Sequence, residues 1–455
     1  MPVTTRLLPT EPVDSLDAYL ATDIGGLGLQ RAQQIGPRAV IDAVTASGLR
    51  GRGGAGFPTG RKWAGVAGER GFQRYLVCNG AEGEPATFKD RALMRNNPYQ
   101  LIEGVLIAAF AIDAVAAYVC VKESFERELE ALTRAAQEMQ DAGLCRDCPI
   151  TFVAGPPDYL YGEEKAMLEV IEGKPAMPRV LAPHEHGLFA GGPQEGWESV
   201  AAPTRARGAA HDPHPTVVNN VETLSNVPGI VVHGPDWFRQ VGTAESPGTA
   251  VCTIVGDVRH AGVAEVELGA TTLREAIDTI GGGVREGRRV RAVLSGVSNP
   301  VLTEADLDTP LSYEAMSNIG RGLGAAGFWV IDDSACMIDV ALQASRFLAF
   351  ESCGQCPACK LGSAEITVRL DRLRAGTSEE HDIDELGAWL ARVTDGNRCY
   401  LAVEEQTVVR SILTVFSDEV HQHARGRPCP TDADRPLPLI RDLVDGSAVL
   451  APIRG

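Results

Sequence analysis

The sequence has no long run of basic residues, and its charge is strongly of the opposite sign. It contains 60 acidic and 42 basic residues, which gives a formal net charge of −18 at pH 7. A chain this acidic repels nucleic acid and anionic membrane surfaces. We therefore expect no nucleic-acid partner.

Signals for export and membrane insertion are also missing. Residues 1–10 do not have the charged and then apolar layout of a secretory signal. The most apolar stretch, 101–121, is interrupted by Glu103 and Asp113 and is a poor membrane span. A buried helix followed by a short strand fits it better. We expect a cytoplasmic protein without a membrane span, either free or peripheral to a membrane complex.

Internal repeats and low-complexity tracts are absent, so the 455 residues must be divided by composition and periodicity. Residues 1–241 alternate helical and strand-like segments, which predicts an α/β domain. Residues 242–333 predict a compact α+β module. Residues 334–427 predict four helices. Residues 428–455 predict an extended, proline-rich tail.

Eleven cysteines are present, and in a cytoplasmic chain they are thiols, metal ligands or redox groups. Cys353, Cys356 and Cys359 are each separated by two residues, and Cys399 is a later fourth thiol. Three sulfurs ahead of a helix, with a fourth from elsewhere, suit a [4Fe–4S] cluster. Zinc is the main competitor, although structural zinc usually takes two separate Cys-x-x-Cys pairs. The plain alternative is a group of buried thiols near a turn.

A glycine-rich segment runs from Gly51 to Gly60 and is followed by Lys62. It does not predict a Rossmann loop, because the segment before it reads as a helix and not as a strand. Glycines still let backbone amides approach a phosphate or a flat ring. Arg52 and Lys62 would add positive charge. On its own, the pattern is weak, and a plain glycine turn is favoured.

Three further turns carry polar side chains. The first, 78–85, contains Cys-Asn-Gly-Ala-Glu-Gly-Glu-Pro after a predicted strand. The second, 159–164, contains Tyr-Leu-Tyr-Gly-Glu-Glu, and the third, 219–223, contains Asn-Asn-Val-Glu-Thr. The ends of strands are usual ligand sites in α/β folds, and paired asparagines can cap a helix or contact a phosphate. Each turn alone is equally compatible with a structural role.

In combination and in this order, the five motifs resemble the flavoprotein subunit of NADH:quinone oxidoreductases, the respiratory complex I enzymes. Related NAD-linked hydrogenases and formate dehydrogenases have diaphorase subunits of the same type. The resemblance covers roughly 39–421. It implies an FMN-binding domain of Rossmann-like character in 1–241, a ubiquitin-like β-grasp module in 242–333, and a C-terminal helical bundle that carries the cluster.

The resemblance also implies roles for individual residues. FMN would contact residues of the glycine segment and of the three turns, namely Gly51, Arg52, Gly53, Gly54, Lys62, Asn79, Glu82, Tyr159, Gly162, Glu163, Asn219, Asn220 and Thr223. NADH or NADPH would stack on the flavin near Phe57 and Lys62, with catalytic roles for Glu84 and Glu164. The family's cluster ligands match Cys353, Cys356, Cys359 and Cys399.

The implied function is oxidation of NAD(P)H, with hydride transfer to FMN and single electrons to the cluster. Electrons would then pass to a small iron–sulfur subunit, [2Fe–2S] or ferredoxin-like, within a larger redox complex. An alternative is a relay subunit that has FMN and a cluster but no nicotinamide activity. A scaffold without cofactors is disfavoured because all four thiols remain.

Several positions depart from the family's pattern. Ala81 replaces a usual Asp, and Ala64-Gly65 and the segment 183–186, Pro-His-Glu-His, replace usual aromatics. Stacking of a base on an aromatic ring is worth about 1–3 kcal/mol in nucleic-acid complexes. We therefore expect weaker binding of the dinucleotide than in relatives, or a shift of donor. Extra sequence lies at about 190–213.

Two other groups of ligating residues remain. Cys145 and Cys148 form an additional Cys-x-x-Cys, for which ordinary thiols are favoured over a redox pair or half of a metal site. The long loop contains histidines at 184, 186, 211 and 214. Their spacing could bind a metal, but solvated loop histidines are favoured.

Overall fold

The structure is a computed structural model that describes residues 5–145, 148–191, 212–379, 381–427, 429 and 435–451. The chain divides into two compact units. The first comprises Met1–Glu82, Lys89–Val251 and Glu265–Ala270, and the second comprises Gly83–Phe88, Cys252–Ala264 and Thr271–Gly455. The division into four domains expected from the sequence therefore stays a prediction.

The first unit is built on a four-stranded parallel sheet. Its strands are β1 (Tyr75–Gly80), β2 (Ala116–Lys122), β3 (Ile150–Gly155) and β4 (Thr216–Asn220), in the order β3-β2-β1-β4. Its helices are α1 (Leu16–Leu20), α2 (Leu27–Ile35), α3 (Pro37–Ser47), α4 (Thr59–Gly68), α5 (Lys89–Asn96), α6 (Pro98–Ile112), α7 (Glu126–Asp141), α8 (Glu164–Ile171), α9 (Val221–Ser225), α10 (Val227–His233) and α11 (Pro235–Phe238). The predicted α/β alternation is confirmed.

Helix α6 is the buried centre of this unit. Pro98 occupies its first turn, and it ends at Asp113, which adopts the left-handed conformation that closes many helices. Its carboxylate Glu103 is fully buried but accepts hydrogen bonds from the backbone N–H groups of Gly26 at 2.9 Å and Leu29 at 2.7 Å. A charged residue in an apolar helix thus anchors α2. In the described residues no helix is long and apolar enough to cross a bilayer.

A second, mixed sheet has the order β6-β5-β9-β7-β8. Its strands are β5 (Thr249–Gly256), β6 (Gly262–Glu267), β7 (Val290–Ser295), β8 (Leu302–Thr303) and β9 (Gly327–Asp332). Strands β5 and β9 are parallel, whereas β7 is antiparallel to both β9 and β8. Helix α12 (Leu273–Ile280) begins with a capping box formed by Thr272 and Glu275.

The rest of the second unit is mainly helical. Its helices are α13 (Tyr313–Asn318), α14 (Met337–Glu351), α15 (Pro357–Ala375), α16 (Asp382–Arg392), α17 (Leu401–Val415) and α18 (Ser417–Ala424). The fourth helix predicted for this region is two helices, because the chain leaves helical geometry at Phe416. The tail contains an antiparallel hairpin of β10 (Ile440–Val444) and β11 (Ser447–Leu450), which the sequence did not predict.

The crossing of α6 and α9 depends on a glycine. A Cβ atom at Gly104 would lie 2.1 Å from the carbonyl oxygen of Leu224, whereas a Cβ at Gly68 meets no atom within 4 Å. We expect Gly104→Ala to lower the free energy of unfolding by about 1–3 kcal/mol, because the two backbones must separate. Gly68→Ala is the matched control and should change it by less than about 1 kcal/mol. Urea unfolding curves measure both, and equal effects would contradict the close crossing.

Candidate functional site

Polar residues collect where the carboxyl ends of β1 and β4 lie side by side. The parallel register pairs Cys78 with Asn219 and Asn79 with Asn220. Strands β2 and β3 extend the sheet on the other side of β1, so the direction of chain progression reverses between β1 and β4. Such a reversal opens a crevice outside the carboxyl ends of strands, where α/β proteins bind ligands. Two of the predicted turns meet at this point.

The glycine segment forms a tight loop between α3 and α4. Its ends are held by a bridge of Arg50 to Pro58, and the N–H of Gly51 donates to the carbonyl of Phe57 at 2.8 Å. Gly54 has φ of +121°, a conformation that side chains rarely allow. The prediction that a helix and not a strand precedes this loop is confirmed.

The loop lies against the end of β4. A Cβ atom at Gly53 would be 3.3 Å from the Cβ of Asn220, and the backbone N–H of Arg52 donates to the hydroxyl of Thr223 at 2.9 Å. Helix α4 is held to the same strand because the buried indole N–H of Trp63 donates to Oδ1 of Asn219 at 2.7 Å. The loop and β4 are therefore one rigid platform.

A buried charge network lies beneath this platform. The carboxylate of Glu222, on α9, is fully buried and lies 3.0 Å from the ammonium of Lys89 and 3.8 Å from the guanidinium of Arg52. Lys89 also contacts Asp90 at 2.7 Å and Asn220 at 3.1 Å. Burial disfavours the charged ammonium, but the surrounding carboxylates outweigh it and raise the pKa of Lys89.

The side chain of Arg52 is used inside the fold, and its contact with FMN stays a prediction. Its guanidinium is buried, pairs with Glu222 and donates to the carbonyl of Pro247 at 3.2 Å, so its charge is neutralised inside the fold. Sequence reasoning also missed the structural roles of Lys89, Asp90 and Glu222. Charged residues in a first helical turn are usually solvated, so nothing in the sequence indicated that these three side chains are buried.

The turn after β3 closes another side of the crevice. Residues Tyr159–Gly162 form one turn of 3₁₀ helix, and the side-chain amide of Asn79 donates to the carbonyl of Gly162 at 2.7 Å. Glu163 caps α8 by accepting from the N–H groups of Lys165 at 2.9 Å and Ala166 at 3.0 Å. Burial raises the pKa of Glu163 to about 7.

Glu164 faces Lys62 across this crevice. The Lys62 ammonium lies 2.5 Å from the Glu164 carboxylate and donates to the carbonyl of Val218 at 2.7 Å. Both side chains are partly exposed, at 24% and 42%. The Phe57 ring, in the neighbouring loop, is 48% exposed. The predicted nucleotide-side residues of the first unit are thus accessible to a ligand.

The two glutamates of the turn after β1 have different surroundings. Glu82 is buried and accepts from the N–H of Asp90 at 3.2 Å and from Nε of Arg91 at 3.3 Å, so it holds the start of α5. Glu84 belongs to the second unit, where it accepts from the N–H of Val297 at 2.7 Å. Gly296 is required there, because a Cβ would lie 1.9 Å from Oε1 of Glu84.

The cysteine motif lies in the second unit, between α14 and α15. Cys356 caps α15, Pro357 follows in its first turn and Cys359 lies one turn further, so the three thiols surround a helix start. The guanidinium of Arg398 donates to Oε1 of Gln355 at 3.0 Å, which brings the neighbouring Cys399 segment to the motif.

Two metal groups were predicted for these sulfurs, a [4Fe–4S] cluster and, as the competitor, a zinc ion. Among the described residues, the sets of three or more ligating atoms that lie within 4.8 Å of one another do not include any cysteine of this motif. A single tetrahedral zinc ion, with Zn–S of about 2.3 Å, would require sulfurs roughly 3.8 Å apart. The hydroxyl of Ser352 lies 3.3 Å from the Cys359 sulfur and can donate to it.

The additional thiols and the loop histidines differ in environment. Burial raises the pKa of both Cys145 and Cys148 to about 11, which opposes the thiolate form that a redox pair needs. His184 is exposed as predicted, but His186 is buried, because the chain folds back onto it. His211 and most of the predicted insertion lie outside the described residues.

Comparison with known proteins agrees with this geometry. Residues 44–229 match the model of the Nuo51 FMN-binding domain, and residues 339–423 match the NADH-ubiquinone oxidoreductase-F iron-sulfur binding region. The fold and these two regions define an FMN- and iron–sulfur-binding component of an oxidoreductase, a flavoprotein for electron input. The predicted class, enzyme type and cofactors are thereby confirmed.

Whole-chain relatives identify the family. The chain is 37% identical to the NADH-quinone oxidoreductase F-subunit 2 of Rhizobium meliloti (strain 1021), over 87% of this chain and 90% of that protein. It is 34% identical to the NADP-reducing hydrogenase subunit HndC of Solidesulfovibrio fructosivorans, over 92% and 82%. The chain belongs to the F-subunit family of NADH-quinone oxidoreductases, as the motifs predicted.

A solved structure has the same fold. A chain of the NAD+-reducing [NiFe]-hydrogenase in the H2-reduced state matches with a TM-score of 0.76 and 30% identity, over 95% of this chain and 68% of that chain. Its match to nearly the whole of this chain includes both units.

The buried network generates a stability prediction. Lys89→Met would leave Glu222 and Asp90 without their shared cation, and we expect a loss of about 3–5 kcal/mol in the free energy of unfolding. Lys174→Met is the matched control, since Lys174 also pairs with two carboxylates, both at 3.2 Å, but is 40% exposed. Its loss should be below about 1 kcal/mol. Chemical unfolding measures both, and losses of equal size would show that the buried network is unimportant.

Proposed function

We propose that this chain oxidises NADH or NADPH at a flavin in the first unit and delivers the electrons to a cluster in the second unit. The observation that carries the proposal is the crevice at the ends of β1 and β4, with the glycine loop against Asn220 and the accessible Lys62–Glu164 pair beside it. When bound, FMN accepts a hydride from the nicotinamide and releases electrons singly to a [4Fe–4S] cluster.

The residues present fit an FMN molecule. A Cβ at Gly54 would meet no atom within 4 Å, so the loop leaves open space where a side chain would stand. Asn220 caps α9 by accepting from the N–H of Glu222 at 3.0 Å, and Asn79 braces the opposite turn. Gly51, Gly53 and Gly54 would offer backbone groups to the flavin. The other proposed contacts are Arg52 through its backbone, Lys62, Asn79, Glu82, Tyr159, Gly162, Glu163, Asn219, Asn220 and Thr223.

The chain's own charges would position the nicotinamide nucleotide. Lys62 and Glu164 neutralise each other, so a neutral nicotinamide ring beside them meets no isolated charge. The exposed ring of Phe57 offers an apolar face in the same loop. We propose that Glu84 and Glu164 orient the donor. The missing aromatics at Gly65 and His184 support weaker adenine binding than in relatives.

The surface near the cysteine motif supports docking of a redox partner. Three large apolar side chains near the cysteine motif are strongly exposed: Phe350 by 49%, Leu361 by 61% and Tyr400 by 59%. Exposed aromatic and apolar residues are typical of interaction sites. We propose that Cys353, Cys356, Cys359 and Cys399 bind the cluster, and that a small [2Fe–2S] or ferredoxin-like subunit contacts this surface. The assembly would be cytoplasmic or peripheral to a membrane complex.

Finer features of the architecture are also proposed. The order β6-β5-β9-β7-β8, with parallel central strands and α12, supports a ubiquitin-like β-grasp module in 242–333. The helices α14 to α18 support a bundle that carries the cluster in 334–427. We also propose that the first domain ends at residue 241, where the β-grasp module would begin.

Flavin binding should depend on the small size of Gly53. Gly53→Val places methyl groups between the loop and Asn220, and we expect FMN affinity to fall by about tenfold or more, roughly 1.4 kcal/mol. Reconstitution with FMN under anaerobic conditions, followed by fluorescence of the released flavin, measures this. Gly68→Val is the control, because its Cβ meets no atom within 4 Å. Recovery of FAD, or unchanged FMN binding by Gly53→Val, would oppose the proposed site.

The electron donor is tested by anaerobic titration. We expect NADH or NADPH to bleach the flavin absorbance of the purified chain, with saturation only at high nucleotide concentration. Lys62→Met should raise the nucleotide concentration for half-bleaching, since Lys62 lies on the proposed nucleotide side. Bleaching by dithionite but by neither nucleotide would instead support a relay subunit without nicotinamide activity. Tight NADH binding would contradict the weakened adenine site.

A further inference from the structure

A second group of metal-ligating side chains lies in the second unit, apart from the cysteine motif. The thiol of Cys336, the carboxylate of Glu419 and the imidazole of His423 have ligating atoms within 4.8 Å of one another. Cys336 immediately precedes α14, whereas Glu419 and His423 are four residues apart on α18. The i, i+4 spacing places both α18 side chains on one face of the helix. None of these residues is used by the function proposed above.

The distance between sulfur and nitrogen fits one shared ion. The Sγ atom of Cys336 lies 3.4 Å from Nε2 of His423. A tetrahedral zinc ion, with Zn–S of about 2.3 Å and Zn–N of about 2.0 Å, would hold these two atoms roughly 3.5 Å apart. Both residues are only 3% exposed, so the thiol and the imidazole are already desolvated.

The orientation of His423 matches that of a metal ligand. Its Nδ1 lies 3.0 Å from the carbonyl oxygen of Leu373, which can only accept, so Nδ1 carries the proton and donates. Nε2 of the neutral ring then presents its lone pair towards Cys336. Histidine ligands of zinc are commonly oriented by such a hydrogen bond from the other ring nitrogen to a backbone carbonyl.

Glu419 is oriented by two further contacts. Its Oε1 accepts from the backbone N–H of Met337 at 3.1 Å, and its Oε2 pairs with the guanidinium of Arg291 at 2.6 Å. The thiol of Cys429 lies within hydrogen-bonding reach of Cys336. Cys429 is tied to α15 because its backbone N–H donates to the carbonyl of Arg374 at 3.0 Å. A fourth donor is therefore held beside the thiol of Cys336.

We propose that Cys336, Glu419, His423 and Cys429 bind a structural zinc ion. Two thiolates and one carboxylate carry three negative charges, which Zn²⁺ and the guanidinium of Arg291 balance. Four protein donors leave no open position, which is typical of structural and not of catalytic zinc. The ion would join the start of α14, the end of α18 and the segment that leads to the C-terminal hairpin. This inference does not depend on the flavin site.

The test is the metal content of the full-length chain, purified anaerobically after growth with both iron and zinc. Mass spectrometry should find about one zinc per chain in addition to about four iron. Cys336→Ser and His423→Gln should lose zinc and retain iron and FMN. The matched controls are His421→Gln, on the same helix but exposed, and Cys145→Ser; both should retain zinc.

Zinc K-edge absorption of the unmodified chain tests the site even if the variants fail to fold. The expected coordination of the ion mixes two sulfurs with nitrogen and oxygen. Zinc bound by four sulfurs and lost in Cys356→Ser would place the ion at the cysteine motif and overturn the proposal. So would a chain that contains iron but no zinc, or zinc that persists in both Cys336→Ser and His423→Gln.

Discussion

The buried carboxylate of Glu222 is the interaction on which the first unit depends. It accepts from the backbone N–H of Val251 at 2.9 Å, contacts Lys89 at the start of α5, and pairs with Arg52 in the glycine loop. Three segments distant in sequence thus converge on one side chain. A buried charge without its partners is strongly destabilising, so the loop, α5 and α9 must form together.

The buried ion pairs of Glu222 affect how the crevice at the ends of β1 and β4 can recognise a ligand. Because Glu222 and Asp90 together neutralise Arg52 and Lys89, the floor of the crevice presents backbone groups and asparagine side chains instead of free cations. Backbone groups are held by the fold and lose no side-chain entropy when a ligand binds. In the proposed function, the remaining charged pair, Lys62 and Glu164, lies at the open side where the donor would arrive.

The cysteine motif and the Cys336 group of the second unit differ in the spacing of their ligating atoms. The cysteine motif lies at the first turn of α15, and among the described residues its thiols belong to no set of three ligating atoms within 4.8 Å of one another. Cys336 and His423 approach to 3.4 Å, a separation suited to a single ion. The helical region therefore contains two different arrangements of thiol ligands. The cysteine motif depends on local helix geometry, whereas the Cys336 group depends on the packing of α14 against α18.

The sequence alone determined the family, the cofactors and most strands and helices, because motif order and periodicity are local properties of the chain. The strand Tyr75–Gly80, the buried α6 and the cysteine spacing could all be predicted in this way. Tertiary structure decided which charges are used internally: the side chains of Arg52 and Glu82 are buried in ion pairs with Glu222 and Arg91. It also brought together Cys336 and His423, which are 87 residues apart. Their meeting depends on helix packing, a non-local property that no short pattern of residues records.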